Sequence, residues 1–205
     1  MPQEREALLA ELFPNPPVEK TTTGRILRAY WEEGDDLLLE ADDVVDAGHE
    51  ILDAFGASFQ DNLEYLQEVG LKTTAMLPQD RLHKKKGERD EVVVIIGDDR
   101  LSVSSHADAR HREVTYHWEG VDPRTNKNAF ETLEIDVAWP GSEYMSRIHY
   151  EHGYEARGLG HIDSFNSSSA IDNAVRFYQR TRRILSRGTS VNALLQTQAP
   201  QTQGE

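Results

Sequence analysis

The 205-residue chain carries 22 Lys and Arg against 36 Asp and Glu, a formal net charge of −14, and no cysteine. Disulfides, zinc–thiolate sites, thiol nucleophiles and iron–sulfur clusters are therefore excluded, and a chain of this length can bury a core without such staples. Nucleic-acid binding without sequence preference rests on phosphate neutralisation, so an acid-rich chain disfavours that partner; no apolar run approaches the ~20 residues needed to span a bilayer, so no membrane partner is expected either.

The start, MPQEREALLAELF, is charged from Glu4 onward and lacks a secretory pattern, which predicts a protein that begins in a cytoplasm. Leu8, Leu9, Leu12 and Phe13 give a short amphipathic helix over 3–13, stopped by Pro14, Pro16 and Pro17. Residues 1–20 thus read as a helix and extended arm, either projecting or folded back on the domain. Thr21 to Thr23 can cap a second helix that ends near Gly34. In 36–55, Leu37, Ala41, Val44, Gly48, Ile51 and Phe55 recur at alternating spacings of four and three, flanked by Leu38, Val45 and Leu52. Asp36, Glu40, Asp43, Asp46, Glu50 and Asp53 occupy the other side. The pattern predicts a helix of about five turns, a break at Gly56, and renewed helical patterning until Gly70. Residues 21–78 form a helical region on this reading.

Residues 79–91, QDRLHKKKGERDE, read as a charged linker. The period then changes to two. Val92–Ile96 and Leu101–Ser104 flank Gly97-Asp98-Asp99-Arg100, a hairpin signal. Val114, Tyr116 and Trp118 alternate with polar residues, as do Leu133, Ile135, Val137 and Trp139, so two half-buried antiparallel strands are expected around a polar loop at 120–128. Tyr144–Tyr150 should add a strand, and 153–167, rich in Gly, Ser and Asn, a loop. Ser169 to Asp172 resembles a capping box opening a last helix that ends near Arg187 and Gly188. The domain at 92–188 is thus a sheet plus helix, and 189–205 a polar tail. The fold class is α+β: N-terminal helices, a central antiparallel sheet and a C-terminal helix packing on it.

No constellation specifies catalysis, and no cofactor is implied. His106, His111 and His117 cluster in sequence, as do His149, His152 and His161, but His149 and His152 have neither metalloprotease spacing. On a strand their odd separation sends the two rings to opposite faces. A first-row metal site built from His106, His111, His149 or His152 with Asp108 is the chemical alternative. More informative are Arg176, Arg180, Arg183 and Arg187, one stripe at spacings of four, three and four. Four guanidiniums on one face repel unless acid lies opposite, so the stripe is either a solvated face or a receptor for carboxylates. Asp43, Asp46, Glu50 and Asp53 offer such carboxylates, in the same subunit or a neighbour, and these eight residues are the candidate contact surfaces.

Residues 25–72 resemble the N-terminal helical part of tailed-virus tail and baseplate proteins of the Mu-like wedge type. The resemblance lies in a long helix rich in acidic and aliphatic residues, followed by Leu63-Glu-Tyr-Leu66-Gln-Glu-Val-Gly70-Leu71. It implies a non-enzymatic virion subunit at the tail, baseplate or head–tail junction, assembled in the host cytoplasm through contacts with other virion proteins and as a homo-oligomer. The 6 Lys against 16 Arg fit a GC-rich genome, and the acidic surface fits a halophilic host. The alternatives are a metal-dependent hydrolase using a histidine cluster, and a cytoplasmic adaptor module.

Overall fold

From Val92 onward, apolar residues at every second position give each strand one face that water disfavours, and pairing such strands in register builds a sheet with one apolar side. The computed structural model describes residues 5–7, 9–10, 20–68, 73–74, 90–154 and 160–197. Seven strands pair antiparallel in chain order: β1 (Thr73–Thr74), β2 (Asp90–Ile96), β3 (Asp99–Ala107), β4 (His111–Asp122), β5 (Lys127–Ala138), β6 (Arg147–Tyr154) and β7 (Ile162–Phe165). The register sets Val103 opposite Tyr116, Tyr116 opposite Leu133 and Leu133 opposite Tyr150. Those side chains form one row on the apolar face. Gly97, at φ 61°, opens the two-residue turn between β2 and β3, a position that suits a residue without Cβ.

Helix α1 (Thr22–Glu33) packs on α2 (Ala41–Glu68) and α3 (Ser168–Thr197), and these two lie on that face. Phe55 of α2 sits at the centre, its ring 4.7 Å from Tyr116 of the sheet and 4.9 Å from Tyr178 of α3. Ile51, Leu133, Ile135, Ile148, Ala170, Ile171 and Ala174 are fully buried around it. Gly48 brings α2 against the sheet: a Cβ there would stand 2.7 Å from Val137 Cγ2. The expected α+β layering is present, with α3 on the sheet.

The N-terminal helix is folded back. Residues 5–7 and 9–10 are helical, Leu9 is fully buried in the common core, Glu6 bonds Arg28, and Arg5 lies 5.1 Å above Trp31. The extended part of the arm, at 11–19, lies outside the described residues, as does the charged linker except for Asp90 and Glu91, which open β2. Thr21 caps α1 by accepting from the Gly24 N–H at 3.0 Å, and Gly34 ends it at φ 77°.

Six boundaries differ from expectation, each for a local reason. The strand expected at Tyr144–Tyr150 runs over Arg147–Tyr154, and Tyr144 instead donates its hydroxyl to Asp136. The long helix starts at Ala41, because Leu37 and Leu39 pair their backbones with Ser168 and Asn166 and Leu38 bridges Ser167. Gly56 does not break α2; one helical glycine costs only about 1 kcal/mol. The turn after β4 shrinks to 123–126, with Asn126 at φ 53°. The segment 153–167, expected as loop, contains β7, which pairs with β6. Helix α3 continues through Gly188 to Thr197 into the expected polar tail, where Val191 and Leu195 prolong the spacing of Ile184.

Candidate functional site

The arginine stripe meets acid from strands and from its own helix, not from α2. Arg180, half-buried, lies 2.5 Å from Glu131 of β5 and 4.7 Å above the Trp118 ring. Arg187 donates to Asp99 Oδ2 at 2.6 Å, while Trp118 Nε1 donates to Asp99 Oδ1 at 2.8 Å. Arg176 donates to Asp172, four residues earlier, and Asp172 also accepts from Trp31 Nε1 at 2.7 Å. Asp172 therefore ties α1 to α3 and does not close a capping box. The cap lies earlier: Ser167 Oγ accepts from Ala170, and Asp36 accepts from the Ser169 N–H and the Ser168 and Ser169 hydroxyls. Arg183 is exposed and bonds to nothing among the described residues.

The acidic residues of α2 divide the same way. Glu50 accepts from the N–H groups of Thr22 and Thr23 at the N-terminus of α1, where the helix dipole favours an anion. Asp43 pairs with Arg25 at 2.5 Å. Asp46 and Asp53 stay exposed. Five of the eight candidate contact residues thus hold the fold itself, and Arg183, Asp46 and Asp53 remain for outside contact. Glu131, 4% exposed, is the stressed member of this layer: burial pushes its pKa up to about 7 against the pull of Arg180. His152, 3.5 Å from Glu131, is driven toward its neutral form, first by burial and then by Arg180.

The opposite face of the sheet carries His106, His111, His117 and His149, and His161 joins it through Glu151 at 2.9 Å. His149 and His152 do point to opposite faces, since their cross-strand partners are Glu134 and Glu131. His117 bridges Thr132 Oγ1 at 2.9 Å and Glu119 Oε1 at 3.1 Å. This hydroxyl–imidazole–carboxylate chain lacks what acyl transfer needs, because the strand N–H groups beside it are engaged in the β3–β4–β5 ladders and cannot serve as an oxyanion site. His149 pairs with Asp163 at 2.8 Å.

At the far end of β4 the arrangement differs. His111 and Glu113, two apart on one strand, face Asp136 across the β4–β5 ladder, and donor atoms of the three lie within 4.8 Å of one another. Asp136 has no exposed surface; its Oδ2 accepts from Tyr144 at 2.6 Å, while its Oδ1 has no hydrogen-bond partner and lies 3.8 Å from His111 Nε2. Tyr144 stacks on the His111 ring at 4.0 Å and 3°.

No family model, curated protein or solved structure matches this chain. Of the residues that matter most, sequence reasoning singled out His111 and Arg180 and missed Glu113, Glu131, Asp136 and Tyr144. Glu113 carried a usable signal, being two residues from His111 on an alternating strand. The other three depend on register between strands and on one loop.

Proposed function

We propose that this chain is a non-enzymatic structural subunit that assembles with copies of itself and with other protein subunits through the helix-free face of its sheet. One observation carries the reading: α2 and α3 cover one face of the sheet, α1 packs on those two helices, and no described helix covers the other face. Antiparallel sheets tolerate water on one side. This side, however, bears half-buried Phe130, Thr115 and Thr132 and continues to Phe165, 52% exposed, on the edge strand β7. Sheet edges and faces of this kind are docking surfaces for other chains. On the resemblance of residues 25–72 we take the assembly to be a tailed-virus particle at its tail, baseplate or head–tail junction, formed in the host cytoplasm.

Sedimentation of the purified chain over a wide concentration range tests this. Self-association is expected, and Phe130→Glu combined with Phe165→Asp should abolish it while circular dichroism stays unchanged. A wild-type chain that is monomeric at every concentration removes the reading. Flanking genes for tail proteins would support the viral setting.

A metal-dependent hydrolase is favoured by one observation, the His111, Glu113 and Asp136 group. A depression of about 200 Å³, lined by Tyr178, Gln179, Arg182, Arg183 and Ser186, lies on α3, across the sheet from that group. Metal-dependent turnover of an ester or phosphoester, lost in Glu113→Gln, would replace the assembly reading.

A further inference from the structure

We infer that His111, Glu113 and Asp136 form a divalent transition-metal site, bound by one imidazole nitrogen and two carboxylates. The inference does not depend on the assembly reading. Three donors converge from two adjacent strands, and strand pairing fixes their backbones, so the site is held by the sheet's most extensive ladder. The buried carboxylate supplies the second, independent observation. Asp136 has no exposed surface, yet Oδ1 lacks any hydrogen-bond partner and is turned toward His111 Nε2. A buried anionic oxygen left unpaired is costly, and a cation between it and the imidazole would satisfy both.

The surroundings fit that role. Asp108 Oδ1 lies 3.2 Å from His111 Nδ1, close but not aligned as a hydrogen bond, and it adds negative charge behind the ring. Asp108 is itself held by the N–H groups of Arg110 and His111 at 2.7 and 3.1 Å. Tyr144 holds Asp136 Oδ2, which leaves Oδ1 for the ion, and its ring fixes the plane of His111. Arg147 pairs with Glu134 and approaches Asp136 Oδ2 at 3.6 Å, away from the oxygen assigned to the ion. Glu113, Glu134, Asp136 and Asp108 outnumber this one guanidinium, so the local field favours a cation. One nitrogen and two oxygens suit zinc or its neighbours better than magnesium or calcium, which take oxygen ligands. Three protein ligands also leave a coordination position for water or for a side chain of a docking partner.

The test titrates zinc into the chelator-treated full-length chain by calorimetry. One saturable site per chain is expected, weakened at least about tenfold by His111→Ala and by Glu113→Gln. His149→Ala, which alters the His149–Asp163 pair on the same face, should bind as wild type. Tyr144→Phe should also weaken binding with the fold intact. Circular dichroism checks every variant. Absence of a saturable site overturns the assignment, as does wild-type affinity in folded His111→Ala and Glu113→Gln, or a loss that follows His149→Ala instead.

Discussion

Glu131 and Arg180 show how a buried acid beside a half-buried base governs a layer. Glu131 titrates near 4.5 when unfolded and about 7 when folded, because burial disfavours its charge more than Arg180 favours it. The folded state therefore holds a proton that the unfolded chain releases. The stability this gives is full below about pH 4.5 and is lost as pH rises through 7. In Glu131→Gln this dependence disappears. The stability difference between variant and wild type should shift toward the variant by on the order of 2 kcal/mol from about pH 4.5 to about pH 7, read by urea unfolding. His152 titrates in both proteins, and a pH-independent difference would count against the shifted Glu131. The arginines separate by the same logic. Arg180→Glu places a second anion beside Glu131 and should cost roughly 3–5 kcal/mol. Arg183→Glu should leave the thermal midpoint within about a degree, since surface changes of this kind are nearly neutral.

At the scale of elements, two junctions matter most. Gly48 lets α2 approach β5, and Gly48→Ala sets a methyl 2.7 Å from Val137 Cγ2. The gain in helix propensity is about 1 kcal/mol and the overpacking about 1–3 kcal/mol. The variant should be less stable than wild type, and a more stable one would show that Val137 yields freely. Asp36 caps α3 from another segment, and hydrogen bonds from Ser169, Ser168 and Ser167 outweigh burial to hold its carboxyl below the ordinary aspartate value. Its contribution is present at neutral pH and lost as pH falls through that lowered value. Asp36→Ala should cost about 1 kcal/mol at neutral pH, and the difference should vanish in acid. These junctions also mark what the sequence could reveal. Strands β4 and β5 were legible because Val114, Tyr116, Trp118, Leu133, Ile135 and Val137 alternate over a whole half-buried strand. The start of α2 was not, because Leu37 and Leu38 continue the helical period while the backbones of Leu37, Leu38 and Leu39 are claimed by Ser168, Ser167 and Asn166, far along the chain. Strand β7 was hidden in a polar segment for the same reason. The stripe of four arginines was plain, whereas Asp99 and Glu131, its acids, are set by register. The His111 group needed Asp136, which only the pairing of β4 with β5 brings near.

For the molecule as a whole, a charge of −14 predicts that moderate sodium chloride raises the thermal midpoint by screening self-repulsion. A midpoint that falls with added salt would instead give the surface ion pairs, such as Arg25–Asp43, the larger share. The chain-order meander of the sheet has a separate consequence. Each strand finds its partner immediately before or after it, so the sheet can zip hairpin by hairpin as the ribosome delivers it. Trp31 and Asp36 must wait for Asp172 and Ser169, which are synthesised more than a hundred residues later. The first helices to be made are therefore the last to lock, and a nascent chain stalled before α3 would expose their greasy sides to chaperones.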